Sequence, residues 1–281
     1  MGAQRLMGMD QIEREILFNR IRAWVLDAGA IIRDKINDPW TVSTKSNPKD
    51  LVTEMDRAVE FFFAKKIKTF YQDHLLLGEE GYGDSDINKM DTVWIIDPID
   101  GTMNFVHQKQ NFAISLGVYH QGVGEIGIIY DVMNNNLYSA LRGNGAYKNN
   151  KKLAPLKETK LTLNESIICF SHRWLMENDY VDEKVMQRLV HDVRGVRSYG
   201  SASLDIARVA EGVLDAYITM SLEPWDIAAG KVIVEEVGGI ITDIEGKEIG
   251  VLERSSVVTA HPDIHEKIVQ KYLIGAIKKS K

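Results

Sequence analysis

The 281-residue sequence predicts an α/β protein, of the α+β type, that is built around two sheets. Two helical segments open the chain, a series of short apolar segments follows, and strand and helix patterns then alternate to the end. With 44% hydrophobic residues, the chain can form a large core, either as one domain or as two closely packed halves. We predict a single unit over 1–281, with its halves at 10–155 and 156–277.

The first half begins with two predicted helices. Asp10 can cap a helix that runs to about Lys35, because apolar residues recur there at helical spacing. Residues 37–48 are loop-like, and a second helix is predicted over about 54–71. The segment from Thr53 to Asp56 fits a capping box, with Asp in the position usually held by Glu. Capping alone can therefore account for Asp56.

A largely antiparallel sheet is predicted next, because many short strand patterns follow one another. Asn149-Asn150 suggests a hairpin turn near the end of this sheet. Pro98 cannot donate a hydrogen bond to a sheet, so the strand before it is expected to stop there. The expected strands are 74–77, 93–96, 113–119, 125–130 and 137–140.

In the second half, strands and helices alternate, which predicts a second sheet covered by helices. Cys169 is the single cysteine of the chain and lies in an apolar run, where a buried strand residue is expected rather than a nucleophile. The expected strands are 166–170, 195–198, 214–219, 239–242 and 256–260. The expected helices are 182–191, 202–211, 227–237 and 264–277.

A candidate metal site lies where the apolar strand from Val93 to Ile96 ends in Asp97 and Asp100. Two carboxylates about 4 Å apart repel by roughly 4 kcal/mol at an effective dielectric constant of 20. Carboxylates that lie together therefore need a cation, protons or solvent between them. Gly101 lets the backbone approach a ligand closely. Thr102 offers a hydroxyl and an amide at the start of a short helix, where backbone N–H groups favour anions. Carboxylates beside a small anion pocket indicate phosphate chemistry.

Ordinary surface turns are the alternative explanation of Asp-Pro and Asp-Gly pairs. Six specified positions in this stretch match by chance with a probability of about 10⁻⁸ per start point, which favours the functional interpretation. Glu79 also follows an apolar strand, although a Glu pair in a loop is usually solvated. Asp226 precedes an apolar helical segment and is a good helix N-cap. We hypothesise that these acids converge with Asp97 in one cleft.

Charge and hydropathy exclude two classes of partner. The net charge of −6 argues against a nucleic-acid surface, which needs clustered Lys and Arg. No apolar run approaches the length of a membrane span, and residues 1–9 have no apolar core typical of a signal peptide. We therefore expect a cytoplasmic protein.

Three motifs stand out along the chain: Gly78-Glu79-Glu80, the stretch from Trp94 to Phe105, and the stretch from Trp225 to Gly230. Taken together, they resemble the motifs of the inositol monophosphatase family of Mg²⁺-dependent, lithium-sensitive phosphatases. The resemblance spans nearly the whole chain, and further matches are Lys45, Asp56 and Gly200-Ser201-Ala202. It implies a layered αβαβα sandwich like that of fructose-1,6-bisphosphatase, and a homodimer.

By position, the resemblance also implies two to three Mg²⁺ ions and a small phosphorylated metabolite as substrate. The first ion would lie on Glu79, Asp97 and the carbonyl oxygen of Ile99, and the second on Asp97, Asp100 and Asp226. A third, weaker ion would lie near Glu79. The water-orienting residues would be Asp56 and Thr102, with Glu79 also in the catalytic set. The substrate-binding residues would be Asp100, Gly101, Thr102, Gly200, Ser201, Ala202 and Asp226, with Lys45 in support.

One position departs from the family pattern. Many inositol-selective members have a Glu six residues before the tryptophan of the third motif, and this chain has Thr219 there. Inositol monophosphate is the first expected substrate. NADP(H), phosphoadenosine phosphate and fructose 1,6-bisphosphate stay open as alternatives. A regulatory protein that docks on the transcription machinery is the alternative from another class, although the intact acidic residues argue against a purely non-catalytic role.

Overall fold

Five alternating layers of helices and sheets form the fold in the computed structural model, which describes residues 9–44 and 51–278. The order helix, sheet, helix, sheet, helix confirms the predicted αβαβα sandwich. In the first layer, α1 (Gln11–Lys35) and α2 (Glu54–Phe70) cover the outer face of the first sheet. The Asp10 side chain caps α1 as predicted, since it accepts hydrogen bonds from the amides of Ile12 and Glu13.

A small two-stranded sheet precedes α2 and corrects the prediction of a loop over 37–48. It pairs β1 (Val42–Thr44) with β2 (Leu51–Thr53) in antiparallel register. Each strand has only three residues, too few to show the alternation by which a strand is recognised in a sequence.

The first large sheet has seven strands among the described residues, in the order β3-β4-β5-β6-β7-β8-β9. Only the β3–β4 pair is parallel, so the prediction of a largely antiparallel sheet is confirmed. The short helix α3 (Thr102–Gln108) follows the second of these strands. The strands are β3 (Leu75–Gly78), β4 (Thr92–Asp100), β5 (Ala113–His120), β6 (Val123–Asp131), β7 (Asn136–Leu141), β8 (Ala146–Lys148) and β9 (Lys151–Lys152).

Pro98 does not end β4, contrary to the prediction. The strand continues to Asp100 because its register against β5 shifts between Asp97 and Asp100. Proline is tolerated at such an irregularity, where the ladder of backbone hydrogen bonds is interrupted. The strand end therefore contains both aspartates within one bulge.

The second large sheet has the order β11-β10-β12-β14-β13 within the described part of the chain. Cys169 is buried in β10, as expected. Helices α5 (Ala202–Glu211) and α6 (Pro224–Glu236) lie between the two sheets. Helices α4 (Glu183–Asp192) and α7 (Pro262–Ile268) cover the outer face. The strands are β10 (Ile167–Phe170), β11 (Gly195–Arg197), β12 (Ala216–Leu222), β13 (Ile240–Thr242) and β14 (Ser255–Ala260).

The last helix is shorter than the predicted 264–277. After Ile268 the chain forms one π-helical turn over Val269–Leu273, and Gly275 then adopts a left-handed conformation with φ of +84°. Glycine takes up this conformation readily and commonly ends a helix. None of the helices within 9–44 and 51–278 is long and apolar enough to cross a membrane.

Helix α6 approaches the first sheet closely because the facing strands carry glycines. A Cβ atom added at Gly127 would lie 2.3 Å from the carbonyl oxygen of Ala229, and one added at Gly117 would lie 2.9 Å from the Cβ atom of Ala228. Both contacts fall on the first two turns of α6. The position of this end of the helix is therefore fixed directly by the sheet.

Candidate functional site

Three aspartates from the two halves of the chain meet at one end of the first large sheet. Asp97 and Asp100 lie in the bulge of β4, and Asp226 lies in the first turn of α6. One carboxylate oxygen from each residue lies within 4.8 Å of those of the other two. The amide of Ile99 donates a hydrogen bond of 2.9 Å to Asp97 Oδ1, which fixes that side chain within the bulge.

Asp226 is not the N-cap of its helix, contrary to the interpretation from sequence. Helix α6 begins at Pro224, a residue suited to the first helical position, so Glu223 is the N-cap and Asp226 is the third helical residue. The amide of Glu223 donates to Asp226 Oδ2 at 3.0 Å. This bond turns the Asp226 carboxylate towards the start of the helix, where it meets the two aspartates of β4.

The parallel pairing of β3 with β4 brings Glu79 to the same place. Gly78 of β3 lies opposite Ile96 of β4 in the register. Glu79 follows Gly78 and Asp97 follows Ile96, so Glu79 and Asp97 are neighbours. The Glu79 carboxyl group is close enough to Asp97 to contribute to the raised pKa of that aspartate. Glu79 is partly exposed, whereas Asp97 is 2% exposed.

Negative charge is concentrated at this site, and no cationic side chain from the described residues pairs with the three aspartates. Burial, followed by the charges of Glu79, Asp100 and Asp226, raises the pKa of Asp97 well above its usual value. Burial and the charge of Asp100 do the same to the pKa of Asp226. No ion pair between residues of the described segments includes any of the three aspartates. Buried carboxylates gathered in this way fit a divalent cation with oxygen ligands, such as Mg²⁺.

The start of α5 holds Asp100 and joins the two halves of the chain. Ser201 Oγ donates to Asp100 Oδ2 at 2.6 Å, and the amides of Ala202 and Ser203 donate to the same carboxylate at 3.2 and 2.7 Å. These bonds lower the pKa of Asp100, but burial is the larger effect and the pKa remains raised. The resemblance pointed to Ser201 and Ala202, whereas the role of Ser203 was missed.

Asp56 and Thr102 form a hydrogen-bonded pair beside the aspartates. The predicted capping box of α2 is present, and it engages Asp56 Oδ2 with the amide of Thr53 at 2.9 Å. The other oxygen, Oδ1, accepts a hydrogen bond of 3.1 Å from Thr102 Oγ1, which also lies 3.2 Å from the carbonyl oxygen of Ile99. Burial raises the pKa of Asp56 to about 6.

Close backbone packing shapes the floor of the site next to α3. Gly101 has a φ of +95°, and a Cβ atom there would lie 3.2 Å from the carbonyl oxygens of Gly200 and Asn111. The Asn104 amide donates to the carbonyl oxygens of Asn111 and Tyr199, each at 2.8 Å. A buried asparagine one helical turn after Gly101 was the signal in the sequence that could have identified this cross-link.

Two further positions suggested by the sequence are Lys45 and Thr219. Lys45 falls outside the described residues. Thr219 is buried on β12, opposite Val257, in the strand that leads towards α6. A further acid that the sequence interpretation missed is Glu60, which is fully buried on α2 and contacts the turn that follows β3.

Similarity to known proteins extends over most of the chain. The model of the inositol monophosphatase family matches residues 14–274. Inositol-1-monophosphatase of Bacillus subtilis is 51% identical over 252 residues, which are 90% of this chain and 94% of that protein.

Two solved structures are also similar. Staphylococcal inositol monophosphatase II bound to 2′-AMP has a TM-score of 0.84 and 38% identity, with 92% of this chain and 95% of that chain covered. An inositol monophosphatase/NADP phosphatase in complex with Mg²⁺ and phosphate has a TM-score of 0.87 and 29% identity, with 96% and 100% covered.

Proposed function

Because the chain belongs to the inositol monophosphatase family and is therefore a phosphoric monoester hydrolase, we propose that it uses Mg²⁺ to hydrolyse small phosphate monoesters by direct attack of water. The observation that carries this proposal is the convergence of Asp97, Asp100 and Asp226 within 4.8 Å. A site of this kind suits phosphoryl transfer, which depends mainly on positioning and on neutralising charge.

The oxygen ligands divide into two sets that share Asp97. Glu79, Asp97 and the carbonyl oxygen of Ile99 would hold a first ion, while Asp97, Asp100 and Asp226 would hold a second; a third would bind near Glu79. When bound, such ions lower the pKa of a water molecule and stabilise the leaving alkoxide. The raised pKa values of Asp97 and Asp226, caused first by burial and then by the neighbouring acids, support this assignment, because a bound cation stabilises the charged carboxylates.

The chain itself would handle the proton of the attacking water. Thr102 donates its own hydroxyl proton to Asp56, so the Thr102 oxygen is left to accept a proton from water. Asp56 can then take up the Thr102 proton, and its pKa of about 6 makes it a better proton acceptor than an ordinary aspartate. This relay needs no covalent phosphoenzyme.

Substrate selectivity would depend on the pocket beside this relay. The amides of Gly101 and Thr102 would hold the phosphate group, and residues from Gly200 to Ala202 would line the alcohol side. Thr219 is neutral, whereas a Glu at this position would repel a second phosphate group. We therefore propose that the enzyme accepts nucleotide phosphates such as NADP as well as inositol monophosphate. The staphylococcal complex with 2′-AMP and the NADP phosphatase among the similar structures support this broader range.

A substrate panel tests the proposal directly. Phosphate release is measured with Mg²⁺ from inositol 1-phosphate, NADP, phosphoadenosine phosphate and fructose 1,6-bisphosphate, with the Asp97→Asn variant as the control. We expect turnover of inositol 1-phosphate and NADP that is lost in the variant. Turnover that survives Asp97→Asn would overturn the metal mechanism, and turnover of inositol 1-phosphate alone would overturn the broader range.

The Thr219→Glu variant tests the origin of that range. It should lower kcat/KM for NADP relative to inositol 1-phosphate, because the new carboxylate repels the additional phosphates. An unchanged ratio would show that Thr219 does not set selectivity.

The homodimer, cytoplasmic location and lithium inhibition implied by the resemblance belong to the same proposal. Sedimentation equilibrium tests whether the protein is a homodimer.

A further inference from the structure

The turn that carries Glu79 is held by a buried carboxylate from the neighbouring helix. Glu60 lies four residues after Asp56 in α2, so the two side chains project from the same face of the helix. Asp56 meets Thr102, and Glu60 reaches the turn after β3. Glu60 Oε2 accepts the amide of Glu80 at 2.6 Å, and Glu60 Oε1 accepts the amide of Tyr82 at 2.8 Å.

The space for this carboxylate depends on Gly78. A Cβ atom at Gly78 would lie 2.5 Å from the Glu60 carboxyl group, closer than nonbonded atoms can approach. The end of the same loop is tied back to β3, because the amide of Leu76 donates to Asp84 Oδ2 at 2.9 Å and the amide of Asp84 donates to the Leu76 carbonyl oxygen at 2.7 Å. The loop is thus attached to β3 at its end and to Glu60 along its first half.

An acid at this position is unfavourable for folding alone. Glu60 is fully buried, and burial together with the charges of Glu80 and Glu79 raises its pKa, although the two turn amides oppose the shift. A buried charge near other acids lowers stability unless its hydrogen bonds compensate. Such local conflicts are typical of positions that serve a functional site.

We infer that Glu60 is a positioning residue for metal binding. Its carboxylate fixes the backbone on both sides of the turn, and this presents the Glu79 side chain to Asp97. The inference rests on the proposed function, because it concerns the Mg²⁺ ligands named there. In a Glu60→Gln variant, the side-chain NH₂ group would face one of the two turn amides. That amide would lose its acceptor, the turn would shift, and Glu79 would no longer be held against Asp97.

The test compares Glu60→Gln with a matched variant, Glu236→Gln. Glu236 accepts the amides of Gly143 and Gly145 at 2.7 and 2.6 Å, the same two-amide arrangement in a turn at the end of β7. Mg²⁺ binding is measured by isothermal titration calorimetry without substrate. The Mg²⁺ dependence of phosphate release is measured separately, and circular dichroism checks the fold of each variant.

We expect Glu60→Gln to raise the dissociation constant of Mg²⁺ by about tenfold, the scale of effect seen when a group that orients a metal ligand is removed. Saturating Mg²⁺ should restore most of kcat. Glu236→Gln should bind Mg²⁺ as the wild type does. If Glu60→Gln does not fold, Gly78→Ala provides a second test, because its methyl group displaces the Glu60 carboxylate and should weaken Mg²⁺ binding in the same way.

Three results would overturn the inference. Mg²⁺ affinity within twofold of the wild type in Glu60→Gln, or in Gly78→Ala where that variant is needed, would show that the Glu60 carboxylate does not position Glu79. If Mg²⁺ binding were weakened equally in Glu236→Gln, the weakening in Glu60→Gln would reflect a general loss of stability. Both of these leave the proposed function in place if the wild type is active. A wild-type protein that neither binds Mg²⁺ nor releases phosphate would overturn the proposed function and this inference together.

Discussion

Two buried carboxylates of the first sheet, Asp97 on β4 and Glu125 on β6, differ in how their charge is balanced. Glu125 is fully buried and accepts hydrogen bonds from Arg14 Nη1 at 3.1 Å and Arg142 Nη2 at 3.0 Å. Asp97 is almost equally buried but lies beside Glu79, Asp100 and Asp226. One carboxylate is neutralised by the chain itself, and the other is surrounded by like charge.

A buried carboxylate can serve either structure or function, depending on which groups balance its charge. Removing a carboxylate from water is unfavourable at both positions. At Glu125 two guanidinium groups compensate, and they tie α1 and the turn after β7 to β6. At Asp97 none of the ion pairs between described residues supplies compensation, and the Mg²⁺ ions of the proposed function would provide it. Variants should therefore affect activity at one position and stability at the other.

The largest effect is expected for Asp97→Asn. The amide is a poorer ligand for both proposed ions, so kcat/KM should fall by about a thousandfold or more, the equivalent of several kcal/mol of metal-ion catalysis. The free energy of unfolding without metal should not fall, because the substitution relieves repulsion within the cluster. Steady-state phosphate release and denaturant unfolding measure the two quantities. If Asp97→Asn kept a tenth of the wild-type kcat/KM, the contrast drawn between Asp97 and Glu125 would be contradicted.

Glu125→Ala should show the opposite pattern. It leaves Arg14 and Arg142 without their shared partner, and we expect a loss of about 3 kcal/mol in the free energy of unfolding. The folded fraction should keep near-normal kcat/KM, because Glu125 lies outside the metal cluster. Urea unfolding gives the first value and kinetics well below the unfolding midpoint gives the second. A large fall in kcat/KM of the folded protein would remove the distinction between the two carboxylates.

Thr102→Ala should separate proton transfer from metal binding within the site. It removes the hydroxyl between water and Asp56, and kcat should fall by about a hundredfold, the lower end of general acid–base effects. Mg²⁺ affinity should change little, because the hydroxyl is not one of the proposed ligands. Thr102→Ser is the matched control and should retain most activity. Equal losses of kcat in Thr102→Ala and Thr102→Ser would show that the Thr102 hydroxyl group does not determine the rate.

The smallest effect is the stabilisation that Mg²⁺ itself provides. At ten times its dissociation constant, one bound ion should raise the free energy of unfolding by about 1.4 kcal/mol. Scanning calorimetry with Mg²⁺ and with a chelator measures this increment. Glu125→Gln should keep the increment and Asp97→Asn should lose it, since only the latter removes a ligand. An increment that persists in Asp97→Asn would place the ion elsewhere.

The parts that the sequence predicted well are those determined by neighbouring residues. The opening helices α1 and α2 follow from apolar spacing, and the pair of aspartates near the end of β4 follows from an apolar run that leads directly into acids, proline and glycine. The convergence of Asp226 with Asp97 was a hypothesis, because it depends on the packing of α6 against a sheet formed more than one hundred residues earlier. The αβαβα order and the ligand assignments came from the family resemblance.

The features that the sequence did not predict depend on tertiary contacts. Pro98 stays within β4 because the partner strand shifts register there. Glu60 looks like an ordinary polar residue of an amphipathic helix, and its role appears only when the turn at Glu80 folds over it. Asp226 was assigned as a cap because Asp often begins a helix, but α6 starts at Pro224, three residues earlier than predicted.

The glycines that face α6 have a consequence for how the sequence can vary. At Gly127 the nearest atom to an added methyl group is a main-chain oxygen, which has no alternative rotamer. A substitution there must move the helix itself, and with it the carboxylate of Asp226. Random mutagenesis that selects for catalysis should therefore reject changes at Gly127 as strictly as changes at the acids, although this glycine never touches a substrate.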